Sequence, residues 1–374
     1  MKSRDMFPLG QAEGMSFCNR THETKLLCNN IETCRHTLVI APRRYGKSSL
    51  IHHVVAKCKL PFTEIDFFMA GDERVIERYL LDGVSQLVQA AIGSIEHMLQ
   101  SVKHYLKHLR VGFDLEVKLV RLQLDAKEHS DPATNIKEAL QLLEHLLAKK
   151  KQRAVLVLDE FQNIGAVAEG VGIEAAIRHV AQKTKYLAIV FSGSHRRLLE
   201  VMFADSTRPL YKLCWQLGLD RIAREHYVKH IQKAAKQTWK TELSDEVLQT
   251  IFQCSELHPY YVNRLCDYVW SYFYDEKPPS AKQIHHSWQA ILQQEKSDAV
   301  NEISKLALGQ KKVLQAVARQ SEVALTSRAS ITELSMSGSS ITTAANVLEK
   351  LDIIEQINGK WRVINPIIHH YAAI

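Results

Sequence analysis

The sequence contains no apolar run approaching the ~18–20 residues that a membrane-spanning helix needs, so no membrane partner is expected. Its first residues, Met1-Lys2-Ser3-Arg4-Asp5-Met6, lack the apolar core of a signal peptide, and a cytoplasmic protein is expected. Seven cysteines are scattered without CxxC or other zinc-type spacing, which argues against a disulfide framework and fits reduced thiols. There is no internal repeat and no low-complexity tract, so neither a solenoid nor a disordered linker protein is indicated. A strong charge of either sign is also missing. The formal net charge of +7 over 374 residues permits contact with nucleic acid or an acidic partner without requiring it. The length accommodates two or three domains at roughly 150 residues each.

The most informative segment follows the apolar run Leu38-Val39-Ile40. It reads Ala41-Pro42-Arg43-Arg44-Tyr45-Gly46-Lys47-Ser48-Ser49, a phosphate-binding loop between a strand and a helix. Gly46 lets backbone N–H groups approach a polyphosphate, Lys47 reaches the β- and γ-phosphates, and Ser48 offers a hydroxyl to Mg2+. The helix that follows directs its positive end at the anion. The usual pattern opens with glycine, and here Ala41 stands in that place. Tyr45 is positioned either to cover the phosphates or to pack on the sheet.

A second segment strengthens the first. Ala154-Val155-Leu156-Val157-Leu158 suits a strand buried on both faces of a parallel sheet, and it ends in Asp159-Glu160. Downstream of a phosphate loop, Asp159 is expected to hold Mg2+ and Glu160 to polarise the attacking water. The alternative is a buried strand that happens to end in an acidic turn. ATP and Mg2+ are therefore the expected ligands.

Periodicity places a helix before a first strand at about residues 36–40, the loop helix at 47–57, a strand at 62–70 and helical spacing over 73–109. Residues 111–124 alternate on a period of two, and a β-hairpin inserted in the core is expected there. A helix over 136–151, a strand over 186–191, a helix over 196–203 and a last core strand over 215–222 follow. Residues 224–305 read as helical, broken at His258-Pro259 and Pro278-Pro279. From residue 306 the order is helix, helix, helix and a two-stranded wing around Asn358-Gly359, the strongest short hairpin signal. The fold class is α/β: a core over 1–223, a helical lid over 224–305 and a winged helix over 306–374. The pairs His52-His53, His285-His286 and His369-His370 are adjacent, so the two rings of each diverge on a helix and do not chelate one ion.

Taken together, Ala41–Leu50, Leu158-Asp159-Glu160-Phe161-Gln162, Phe191-Ser192-Gly193-Ser194, Arg208-Pro209-Leu210-Tyr211, His258-Pro259-Tyr260-Tyr261-Val262 and Asn365-Pro366-Ile367-Ile368 carry a resemblance. The chain resembles the archaeal-type P-loop ATPases and their bacterial relatives, near the STAND class and the origin-recognition ATPases of the AAA+ proteins. The resemblance covers nearly the whole chain. It implies a sensor role for Ser192, at the end of the strand beside the loop strand. It makes Arg208 a candidate arginine finger acting on a neighbouring subunit, against the alternative of a plain surface arginine. His258 and Pro259 match the lid position that contacts nucleotide, and Arg264 a second sensor, against the alternative of an ordinary Pro-started helix. Phe17 and Arg20 resemble a short segment that packs near adenine.

Three functions follow from these residues: an ATP-hydrolysing regulatory switch with self-association, an ATP-dependent protein binding duplex DNA, and a scaffold with structural nucleotide. The intact Asp159-Glu160 pair disfavours the scaffold. Residues 306–374 carry seven lysines and arginines against five acids, a net +2. The candidate recognition helix offers Ser339, Ser340, Thr342, Thr343 and Asn346 but no arginine, which disfavours base readout. Lys360 and Arg362 on the wing leave phosphate contact open. Otherwise the winged helix is expected to serve as a protein-contact or autoinhibitory module.

Overall fold

The computed structural model describes residues 3–92, 112–115, 122–125, 131–168, 170–320, 325 and 327–374. The chain opens with a short helix, α1 (Ser3–Met6). It divides into two compact units otherwise than along a simple linear boundary. One comprises residues 21–41 and 50–219; the other comprises residues 1–20, 42–49 and 220–374.

The first unit is a parallel sheet with helices. Its strands are β1 (Thr37–Ile40), β2 (Phe62–Asp66), β5 (Ala154–Asp159), β6 (Leu187–Gly193) and β7 (Trp215–Gly218), in the order β2-β5-β6-β1-β7. The helices are α2 (Thr21–Glu32), most of α3 (Lys47–Cys58), α4 (Glu73–Ile92), α5 (Pro132–Lys150), α6 (Gly170–Ala181) and α7 (Arg196–Ala204). Val155, Leu156, Val157 and Leu158 of β5 and Leu187 to Phe191 of β6 are buried, as expected where helices cover both faces of a sheet. Register fixes the chemistry. Ile40 pairs with Gly193, Leu158 with Phe191 and Asp66 with Asp159, so the carboxyl ends of four strands share one edge. That edge is where open parallel sheets hold ligands.

Two further strands, β3 (Gly112–Leu115) and β4 (Leu122–Asp125), pair antiparallel, Phe113 with Leu124. Residues 116–121 between them lie outside the described residues, as does the 93–109 part of the expected helix after residue 73. The last core strand is shorter than the 215–222 expected from its apolar pattern. Leu219 N still donates to Ile40 O at 3.0 Å. The Asp220 carbonyl, however, accepts from Arg20 Nη2 at 2.7 Å, and the chain turns away.

The second unit is helical with a small wing. It holds α8 (Arg224–Trp239), α9 (Asp245–Ser255), α10 (Pro259–Phe273), α11 (Ala281–Ser304), α12 (Leu308–Arg319), α13 (Arg328–Leu334) and α14 (Gly338–Lys350), then β8 (Ile354–Ile357), β9 (Lys360–Val363) and α15 (Pro366–Ala373). Caps set the helix starts. Ser244 accepts from Val247 N, Ser280 and Gln283 form a capping box, and Ser337 accepts from Ser340 N, each contribution being about 1 kcal/mol. Asn358 and Gly359 both take positive φ, 51° and 79°, the geometry of a tight hairpin turn. The helix α15, started by Pro366 with Asn365 as its cap, was not assigned from the pattern. A single core joins Phe7 from the N-terminal segment, Tyr227, Val262, Trp270, Ile291, Val313, Leu348 and Ile367. No helix among the described residues is long and apolar enough to cross a membrane.

Candidate functional site

The phosphate loop runs from the end of β1 into the first turn of α3. Arg44 and Gly46 adopt φ of 64° and 85°, so the loop curls as a backbone cradle must. A Cβ on Gly46 would meet nothing within 4 Å but would be strained by that φ. Lys47 is buried and its Nζ donates to Pro42 O at 3.3 Å, across the mouth of the loop. Ser49 Oγ accepts from Ala12 N at 2.9 Å, which ties the loop to the N-terminal segment, while Ser48 is half-buried. Arg20, itself at φ 66°, donates to the Tyr45 carbonyl at 3.2 Å. Phe17 closes the short 3-10 turn Gly14–Ser16.

Tyr45 is buried, with its ring edge-on to His258 at 4.9 Å. His258 precedes Pro259 at the start of α10 and is 3% exposed. Burial, with Arg221 and Arg44 adding, lowers its pKa to about 3. The ring is therefore neutral, and its Nδ1 has no hydrogen-bond partner among the described residues. Arg44 lies over the Tyr260 ring at 4.2 Å, and Arg43 is exposed. Arg264 Nη2 donates to Gln294 Oε1 at 2.9 Å and its Nε lies 3.8 Å from Glu295, so this guanidinium is engaged on α11.

The residue that sequence reasoning missed is Arg221. Its Nε donates to the Tyr45 hydroxyl at 3.3 Å, its Nη1 to the Glu256 carbonyl at 2.6 Å, and its Nη2 to the carbonyls of Val363 and Ile364 at 3.3 and 2.9 Å. One guanidinium thus links the phosphate loop, the turn between α9 and α10, and the wing. Glu256 also meets Arg221 Nη1 at 3.4 Å and His369 Nδ1 at 2.5 Å. The bond to Glu256 raises the His369 pKa above its ordinary value. No local motif marks Arg221, because all its partners are distant in sequence.

The carboxylate group lies in the sheet unit. Asp159 ends β5, and Oδ1 accepts from Ser192 Oγ at 2.5 Å. Ser192, expected as a sensor, is buried on the neighbouring strand. Glu160 takes φ 48°, ψ 38°, an uncommon conformation for a side-chain-bearing residue. Its Oε2 accepts from Ser194 Oγ at 2.8 Å, from Ser194 N at 3.4 Å and from Gln162 Nε2 at 2.5 Å. Ser194 and Gln162 were visible as motif members, but nothing in their spacing announced that both hold Glu160. A Cβ at Gly193 would stand 2.0 Å from Gln162 Oε1, so a larger residue there would push that amide aside. At the end of β2, burial and then the neighbouring charges of Asp159 and Glu160 raise the Asp66 pKa, against a backbone hydrogen bond from Phe68 that lowers it.

Arg208 is in the same unit, with Nη2 hydrogen-bonded to Glu174 Oε1. Glu174 is fully buried; burial pushes its pKa up and Arg208 pulls it back. Arg178 donates to the Pro209 and Tyr211 carbonyls and so anchors the same turn. Arg208 is thus held within the fold of its own chain.

No family profile matches the sequence, and no curated protein does. Solved structures match over the whole chain. The Walker-type ATPase of Pyrococcus abyssi aligns with a TM-score of 0.70 at 14% identity, over 99% of this chain and 100% of that one. The ORC2 protein of Aeropyrum pernix in ADPNP–ADP complexes aligns with a TM-score of 0.58 at 12% identity, over 100% and 96%. Its ADP form aligns with a TM-score of 0.54 at 12% identity, over 100% and 99%. The chain therefore shares the fold of the Pyrococcus abyssi Walker-type ATPase and of the Aeropyrum pernix ORC2 protein.

Proposed function

We propose that the protein is an ATP-binding and ATP-hydrolysing switch of the AAA+/STAND kind, in which the lid over 224–305 and the winged helix over 306–374 respond to nucleotide state. The observation that carries this is the loop from Pro42 to Ser49, with Gly46 at positive φ and Lys47 beginning α3. In this assignment the loop N–H groups and Lys47 would bind the phosphates, and Ser48 and Asp159 are the residues that would hold Mg2+, which would supply neutralisation of charge on the phosphates. Ser192 holds Asp159 in place. Glu160, aimed by Ser194 and Gln162, takes the proton from the attacking water. Tyr45 and His258 wall the loop on the lid side. Arg221 transmits the state of Tyr45 to the α9–α10 turn and to the wing. The fold shared with ATPases supports this assignment.

Arg208 enters with a condition. To complete a neighbouring subunit's site it must leave Glu174, so self-association and finger action come together. Mixing Lys47→Ala with Arg208→Ala subunits then restores part of the activity that each lacks alone. Origin-type DNA binding is the second function. It is the weaker, since Arg362 on the wing is paired with Glu355 at 2.7 Å and α14 carries no arginine. The experiment is the ATPase rate of the protein alone, with duplex DNA, and over a range of protein concentrations. A rate rising with concentration supports the assembling switch, and stimulation by duplex supports DNA binding. No hydrolysis under any condition overturns the hydrolysing switch.

A further inference from the structure

We propose that Cys28, Glu32 and Cys58 form a site for one soft divalent cation, of which zinc is the biological candidate, separate from the nucleotide loop. Cys28 and Glu32 stand four residues apart on α2, so they share one helix face. Cys58 is the last residue of the neighbouring α3. Cys28 Sγ lies 3.0 Å from Cys58 Sγ and 3.4 Å from Glu32 Oε1. One ligand atom from each residue lies within 4.8 Å of the other two.

The donor chemistry selects the ion. Two thiolates and a carboxylate carry three negative charges and suit zinc at about 2.3 Å to sulfur and about 2.0 Å to oxygen. Two sulfurs on a tetrahedral zinc stand roughly 3.8 Å apart, so the thiols need to part by less than about 1 Å. Mg2+ prefers an octahedron of oxygens and is not favoured by sulfur. Glu32 is exposed and both cysteines are half-buried, which gives an ion an entry path and leaves a fourth position for water. A disulfide between Cys28 and Cys58 is the competing chemistry. It gives Glu32 no part, whereas one bound cation uses all three side chains. The site escaped sequence reasoning because its ligands are thirty residues apart and one is a glutamate. It would clasp α2, which leads into β1, to the helix that starts at Lys47.

The test uses the full chain, reduced, stripped by a chelator and dialysed against zinc with excess Mg2+ present. The expected result is one zinc per chain, absent from the Cys28→Ser/Cys58→Ser variant. Zinc should bind at least about tenfold more weakly in Glu32→Gln, since even the loss of an outer-shell partner of a ligand costs that much. Cadmium in place of zinc should give a thiolate charge-transfer band in the wild type. Circular dichroism checks the fold of the serine variants. Should they not fold, the cadmium band and Glu32→Gln, at an exposed position, decide. Equal zinc in the double serine variant, or no zinc in the reduced wild type, overturns the proposal. Ready air oxidation to a 28–58 disulfide with no zinc uptake overturns it too, in favour of a thiol pair.

Discussion

Arg221 donates to the hydroxyl of Tyr45 at 3.3 Å, so the arginine just beyond the last sheet strand touches the phosphate loop through a phenol. The same side chain, only 11% exposed, also holds the carbonyls of Glu256, Val363 and Ile364. A buried charge held by several acceptors is hard to dispense with, because its removal leaves each of them unpaired.

Arg221→Ala should therefore lower stability by about 2–3 kcal/mol, the scale of hydrogen bonds to a charged group. Denaturant unfolding measures it. Arg221→Lys should recover only part of the loss, since an ammonium lacks the planar fork that spans three segments. Hydrogen exchange at residues 360–364 should rise in both variants.

Gly193→Ala should displace Gln162, whose Oε1 would stand 2.0 Å from the new methyl. Overpacking of this kind costs about 1–3 kcal/mol. The turnover of ATP should fall together with stability, because Gln162 also donates to Glu160. Gly46→Ala makes a contrast: the space there is open and only the backbone is strained.

Glu160→Gln keeps the shape and removes the proposed base. Nucleotide should stay bound while single-turnover hydrolysis falls about 10²–10⁴-fold, the usual contribution of a general base. Ser194→Ala should lower the rate less, as it removes one of the donors that aim the carboxylate. Unchanged hydrolysis in Glu160→Gln would move the base to another residue.

Two histidines give stability opposite dependences on pH. The folded pKa of His258 lies near 3, below the ordinary 6.5. Its contribution is complete above 6.5 and is lost as pH falls toward 3, by about 1.4 kcal/mol per pH unit. His369 has a raised pKa through Glu256, so its contribution is complete below 6.5 and is lost as pH rises through the folded value. His258→Phe should flatten the acid side of the stability profile, and Glu256→Gln the alkaline side of the His369 effect. Unfolding midpoints across the range report both, and an unchanged acid slope in His258→Phe would remove His258 from the account.

The parallel sheet, the phosphate loop and the acidic strand end were legible because each is written locally: an apolar run, a glycine before a lysine, two carboxylates after five buried residues. The wing was legible from Asn358-Gly359. Less legible were features made by distant segments. Nothing near Arg221 predicts Tyr45, Glu256 and Ile364 as partners, and nothing near Arg208 predicts Glu174. The packing of Phe7 against Trp270 at 4.8 Å joins the N-terminal segment to α10, which a linear division of the chain could not foresee. Helix α15 was hidden because Asn365-Pro366 looks like a turn and is in fact a cap and first helical position.

The central claim is that the loop from Pro42 to Ser49 holds the phosphates of ATP, and calorimetric titration of Mg-ATP into the wild type and Lys47→Ala tests it most directly. Lys47 is the only lysine in that loop, and α3 starts at it. The wild type should bind one nucleotide per chain, and Lys47→Ala should show no measurable heat while keeping its circular dichroism. Equal affinity in the two proteins would contradict the account and place the phosphate site elsewhere.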